Sequence, residues 1–105
     1  MNVNEGTYQA GLIKRIENLL PGCIVLKNDP SIIQGIPDLL VLWNDKWAAL
    51  EVKASPRSNI QVNQEYYIET LGRMSYASFI NPQNEELILD ELQHSFGLTG
   101  QARVS

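Results

Sequence analysis

Two apolar, strand-like runs, residues 38–43 and 47–53, lie three residues apart, and that spacing constrains the chain more than any other feature. Runs so close can pair only as an antiparallel hairpin, because a parallel pair needs a crossover of about a dozen residues or more. The intervening Asn44-Asp45-Lys46 suits a tight turn with positive φ. A turn centred on Asn44-Asp45 sets Trp43 opposite Lys46, Val41 opposite Ala48 and Asp38 opposite Glu51. Directly opposed side chains stand about 5 Å apart at Cβ. Lys53, two residues beyond Glu51, projects from the same face. One hairpin therefore gathers two carboxylates and an ammonium at the end of strands that are otherwise nearly all apolar.

The flanking sequence supplies helices and two further strands. Tyr8, Leu12, Ile13, Ile16, Leu19 and Leu20 recur at helical spacing over residues 4–20, and Pro21-Gly22 stops the pattern. Residues 23–26 form a short β-branched run, followed by a loop to Ile36 in which Ile32-Ile33 are expected to pack. After the hairpin come a loop over 54–60, a helix over 61–74, a strand over 77–80 and a helix over 85–96 ended by Gly97. The order α-β-β-β-α-β-α predicts an α/β fold: a mixed β-sheet with a central antiparallel hairpin, flanked by helices. With 105 residues, the chain reads as a single domain over 1–105, because a second core would have nothing left to bury.

Composition excludes several classes. The longest apolar run, residues 39–43, falls far short of the roughly 20 residues a membrane span needs. Residues 1–5 carry no basic signal-peptide segment. The single cysteine, Cys23, has no internal partner and reads as a small buried hydrophobe, which suits a reducing, cytoplasmic interior. Eight basic against 12 acidic residues give a net charge of −4, opposite to the usual nucleic-acid footprint. A carboxylate site awaiting a divalent cation also counts as negative, so charge lowers that reading without excluding it.

Two opposed carboxylates in a bare sheet repel by roughly 0.2–1 kcal/mol or more. A divalent cation resolves the conflict: Mg²⁺ commonly takes one or two carboxylates together with water and a substrate phosphate. Lys53 would stand beside it as a compact charge able to hold a phosphate or orient water. Metal, carboxylates and lysine in one cleft make phosphodiester hydrolysis the natural chemistry. The plainer alternative is a cross-sheet salt bridge, with Lys53 neutralising one acid.

Gly35-Ile36-Pro37-Asp38, twelve intervening residues and Glu51-Val52-Lys53 together resemble the PD-(D/E)XK nuclease signature. The likeness is closest to the virus-type replication-repair nucleases (the VRR-NUC domain) and to phage and archaeal Holliday-junction resolvases, and it spans residues from about 5 to 82. It implies a restriction-endonuclease-like core with Asp38, Glu51 and the Val52 carbonyl as metal ligands and Lys53 activating or positioning water. Family members often add an acid from the first helix; Glu5, on the face of Tyr8, Gln9, Leu12 and Ile16, is the candidate, whereas Glu17 lies off that face. Gln64 resembles the glutamine that lies near the site in VRR-NUC domains, with Gln61 its rival.

The resemblance implies an Mg²⁺-dependent endodeoxyribonuclease, with Mn²⁺ substituting, that is structure-selective on branched DNA such as Holliday junctions. A site-specific homing or restriction-type enzyme and a non-catalytic binding module are the alternatives. The implied partners are branched or double-stranded DNA and a second copy in a homodimer, with no membrane and no nucleotide cofactor; a phage-encoded enzyme fits the type. Arg57, just beyond the lysine, is the best candidate phosphate contact, followed by Lys14 and Arg73, with Arg15 and Lys27 as further basic residues. Trp43 and Trp47 flank the turn and read as packing or dimer residues, and His94, without a partner at ligand spacing, reads as surface.

Overall fold

Asn4 starts the first helix by accepting the Thr7 N–H on its side-chain oxygen at 2.9 Å, a standard N-cap. A computed structural model of the chain describes residues 4–98; residues 1–3 of the segment read above as lacking a signal peptide lie outside the described residues, as do residues 99–105. Helix α1 (Glu5–Leu19) presents Tyr8, Leu12 and Ile16 as one buried stripe at four-residue spacing. Strands β1 (Ile24–Lys27), β2 (Leu39–Trp43) and β3 (Lys46–Val52) follow, then α2 (Val62–Met74), β4 (Tyr76–Ile80) and α3 (Glu85–Ser95). Among the described residues no helix is long and apolar enough to cross a membrane.

The sheet order is β1-β2-β3-β4, antiparallel across the first three strands and parallel between β3 and β4, where α2 provides the crossover. The mixed α/β architecture expected from the sequence is therefore the one found. The hairpin register is also as expected: Trp43 faces Lys46 and Val41 faces Ala48. Asn44 takes φ +56, the left-handed conformation that asparagine tolerates better than other non-glycine residues.

Central strand β3 sorts its side chains onto two faces. Ala48, Leu50 and Val52 join Leu39, Val41, Leu12, Ile16, Leu92 and Phe96 in one core beneath α1 and α3. The alternate positions, Ala49 and Glu51, turn to the other face, where α2 lies. Helix α2 buries no residue fully; Tyr67, Ile68 and Leu71 are half-buried. The site thus sits on the thinly covered side of a sheet whose opposite side anchors it.

Helices α1 and α3 are clamped by a polar group. Glu85 takes both Arg15 Nε at 2.6 Å and Arg15 Nη2 at 2.9 Å, and also the Tyr8 hydroxyl at 2.8 Å. Arg15 is therefore committed to α3 and not to a phosphate track. Trp43 packs inside the chain: its ring stacks on Phe96 with centroids 6.1 Å apart, and its Nε1 donates to Pro21 O at 3.0 Å. Three local expectations fail. Ile32 and Ile33 are 78% and 44% exposed, Cys23 is only half-buried, and β1 begins one residue later than expected because its ladder to β2 opens at Ile24 and Leu42.

Candidate active site

Glu51 and Lys53 are buried, at 4% and 9% exposure, although charged residues almost never are unless paired. Their partners come from the start of α2. Gln64 Nε2 donates to Glu51 Oε2 at 2.8 Å, and Gln64 Oε1 accepts from Lys53 Nζ at 2.9 Å. Lys53 Nζ also donates to Asn59 O at 2.8 Å and stands 3.7 Å from Glu51 Oε2. A further bond to Gln64 Oε1, from the Gln61 N–H at 3.0 Å, fixes which way the amide points. Of the two glutamines, Gln64 is the one at the carboxylate, while Gln61 caps α2.

Asp38 lies one residue before β2, on the line that puts it opposite Glu51. Its Oδ2 accepts the Val52 N–H at 2.8 Å, so the side chain completes the ladder where the β2 backbone no longer does. Buried Pro37 precedes it, with no N–H to leave unpaired. Gly35 brings the loop in close: it has φ +92, and a Cβ there would fall 2.4 Å from Asn63 Cβ and 2.8 Å from the Asn63 carbonyl carbon. Only glycine fits that approach. The Gly-Ile-Pro-Asp loop is thereby packed on the residue preceding Gln64, tying both halves of the site together.

Electrostatics set the site apart from a simple salt bridge. Burial, and then the Asp38 charge, push the Glu51 carboxyl up to about 7 despite the pull of Lys53. Burial also raises Asp38, against the opposing effects of the Val52 N–H, Lys53 and Lys27. Ionising both acids is unfavourable with the protein groups alone, as expected for two like charges sharing a partly dry site. The donor set is hard oxygen, and among the described residues no group of three His, Cys, Asp or Glu side chains is placed to hold a metal. The carboxylate oxygens of Asp38 and Glu51 are of the kind that Mg²⁺ takes together with water, and among the described residues no cysteine or histidine stands with them as a closed zinc site would require.

The remaining expected residues are placed less closely. Glu5 is exposed in the first turn of α1, and its charge adds to the upward push on Glu51. Arg57 is exposed in the loop after β3, its N–H on Ser55 Oγ at 3.2 Å. Lys14 and Arg73 are exposed; each lies nine residues, roughly 13 Å of helix, along from Glu5 and Gln64 respectively. Trp47 is half-buried and His94 exposed. Two contributors were missed from the sequence. The Asn59 carbonyl is backbone and leaves no residue signal. Asn28, which bonds the Pro37-Asp38 segment, was detectable only by extending the β1 register one residue.

No family model and no curated protein matches the sequence. Among solved structures, a VRR_NUC domain protein aligns with a TM-score of 0.69, covering 94% of this chain and 93% of that chain at 16% identity. The fold is VRR-NUC-like. A restriction-endonuclease-like core accounts for the mixed sheet, its central hairpin and the two flanking helical layers.

Proposed function

We propose that this protein is a metal-dependent endonuclease that hydrolyses DNA phosphodiesters and selects branched DNA over linear duplex. One observation carries the reading: a carboxylate pair, half-buried Asp38 and buried Glu51, is raised in basicity by its own surroundings, while Gln64 bonds Glu51 and holds Lys53 beside it. A salt bridge kept for stability needs neither the second acid nor its burial, since buried ion pairs contribute little net stability. The VRR_NUC name of the structural neighbour points the same way.

Asp38, Glu51 and the Val52 carbonyl would hold Mg²⁺, with Mn²⁺ able to replace it. Such an ion supplies Lewis acidity at the scissile phosphate and lowers the cost of generating hydroxide. The chain's own groups do the rest. Lys53 commits two of its three N–H donors to Asn59 O and Gln64 Oε1, leaving one for a phosphate oxygen or the attacking water. Gln64 keeps Glu51 and Lys53 apart in a fixed geometry instead of letting them collapse into a tight pair. Arg57, on the exposed loop beyond Lys53, is positioned in sequence to meet the flanking backbone, with Lys14 and Arg73 as outlying contacts. Glu5 would complete the coordination of a second ion.

Selectivity for branched DNA and a homodimer are inferred from the small size of the domain, which leaves little surface for base readout, and from the need to cut two strands symmetrically. Cleavage of an end-labelled four-way junction beside its matched linear duplex, in Mg²⁺, Mn²⁺ and EDTA, tests the reading. Metal-dependent, paired cuts in the junction alone support it in full. Equal cutting of both substrates removes the branch selectivity, and discrete bands on long DNA mark a site-specific enzyme. No cutting by folded protein in either metal overturns the proposal in favour of a binding module.

A further inference from the structure

The β1–β2 ladder runs one pair beyond its last strand residues. Lys27 faces Leu39, and the Asn28 N–H donates to Asp38 O at 2.8 Å. The same registers place Asn28, Asp38 and Glu51 side by side on three neighbouring strands, so that all three face one way at one level of the sheet. The Asn28 side chain makes a second bond to the same segment: Nδ2 donates to Pro37 O at 2.8 Å. Pro37 O belongs to the peptide group before the Asp38 Cα, and Asp38 O to the peptide group after it. One residue thus grips both peptide planes that flank Asp38.

We propose that Asn28 is a positioning residue of the candidate active site: by fixing both peptide planes around Asp38, it aims the Asp38 carboxylate at the Val52 N–H and at the space shared with Glu51. Two fixed peptide planes leave φ and ψ of Asp38 little freedom, so the carboxylate can swing only about its own side-chain bonds. The Val52 N–H, 2.8 Å from Asp38 Oδ2, then stops that swing. Without Asn28 the carboxylate would need to be ordered on metal binding, weakening affinity by that ordering cost. This consequence for metal rests on the reading of Asp38 as a ligand; the positioning itself does not.

The Val52 amide provides a direct readout, since its hydrogen bond ends on the Asp38 side chain. Amide hydrogen exchange resolved by residue would be measured for wild type, Asn28→Ala and Asn28→Leu, the last keeping bulk without a donor. The neighbouring Lys53 amide, bonded to Ile80 O at 2.8 Å on the far side of β3, serves as the internal reference. The expected result in both variants is Val52 exchange accelerated by about tenfold or more relative to Lys53, a local opening and not a global one. In parallel, half-saturation of the thermal shift by Mg²⁺ should move several-fold upward. Acceleration of Val52 and Lys53 alike, or of neither, would overturn the proposal. If wild type shows no response to Mg²⁺ or Mn²⁺ while Val52 alone is accelerated, Asn28 still positions Asp38 and the metal reading is what fails.

Discussion

Glu51→Gln should stabilise the metal-free protein, and by an amount that grows with pH. In the unfolded chain Glu51 loses its proton near 4.5, whereas in the fold it holds it to about 7. Between those values the unfolded state binds fewer protons, so wild-type stability falls as pH rises through the window and stays reduced above it. Holding a proton one pH unit longer than the unfolded chain does corresponds to about 1.4 kcal/mol, so the ionised carboxylate costs the fold about 3 kcal/mol at pH 8. That cost already includes the favourable pull of Lys53. Glutamine mimics the protonated acid and can still accept the Gln64 Nε2 hydrogen bond on its amide oxygen. Thermal unfolding in EDTA should show the two proteins nearly level near pH 4.5 and the variant higher by roughly 12–24 °C near pH 8, at about 4–8 °C per kcal/mol for a domain of this size. Added Mg²⁺ should then raise the wild type and leave the variant where it was. A difference that does not change with pH, or a variant less stable than wild type near pH 8 in EDTA, would refute the electrostatic account of the site.

Other consequences are open to direct measurement. Lys53→Met should lower metal-dependent cleavage by about 10²–10⁴-fold in single-turnover assays, with folding checked by circular dichroism. Gly35→Ala forces a side chain at φ +92 into the Asn63 backbone, and urea titration should show a loss of about 2–4 kcal/mol together with loss of cleavage. Glu85→Gln should cost about 1–2 kcal/mol near neutral pH, since it breaks a charge-assisted clamp that is partly exposed. Burial pushes the Glu85 carboxyl up, but the Arg15 and Tyr8 hydrogen bonds outweigh it and hold the group below its usual range. That contribution is therefore complete above the unfolded value and fades as pH falls through the folded one, so the wild-type advantage should vanish in acid.

The hairpin was legible because its determinants are local. Asn44-Asp45 fixes the turn, period-two alternation fixes the faces, and a one-residue slip would expose Leu39, Val41, Ala48 and Leu50 together. Gln64 was half legible: its place in the first turn of α2 is a matter of helical phase, but the choice against Gln61 depends on where the loop from Lys53 delivers the helix. The start of that helix is anchored by Gly35 against Asn63, a contact across about 28 positions that no periodicity encodes. Glu5 was expected on the core side from a 100° rotation per residue; in the first turn the phase places a side chain without ensuring that anything covers it. The expected packing of Ile32 and Ile33 failed. Apolar residues in an irregular loop carry no phase, so hydrophobicity alone could not say which way they turn.

The division of the sheet into two faces explains how a domain of this size can hold so unfavourable a pair of charges. Leu50 and Val52, on either side of Glu51 in sequence, are fully buried in the core under α1 and α3. Moving Glu51 out to water would pull both of them from that core, at roughly 1.5–3 kcal/mol for each aliphatic side chain. Ionising Glu51 in place costs about 3 kcal/mol. Retreat is therefore at least as expensive as staying, and the acid remains where it is even with no cation to compensate it. The covering helix α2 is the weaker partner, with no fully buried residue of its own. If strain at the site is to be relieved by motion, it is α2, carrying Gln64, that should yield before β3 does, and a cation that neutralises the pair should tighten α2 most.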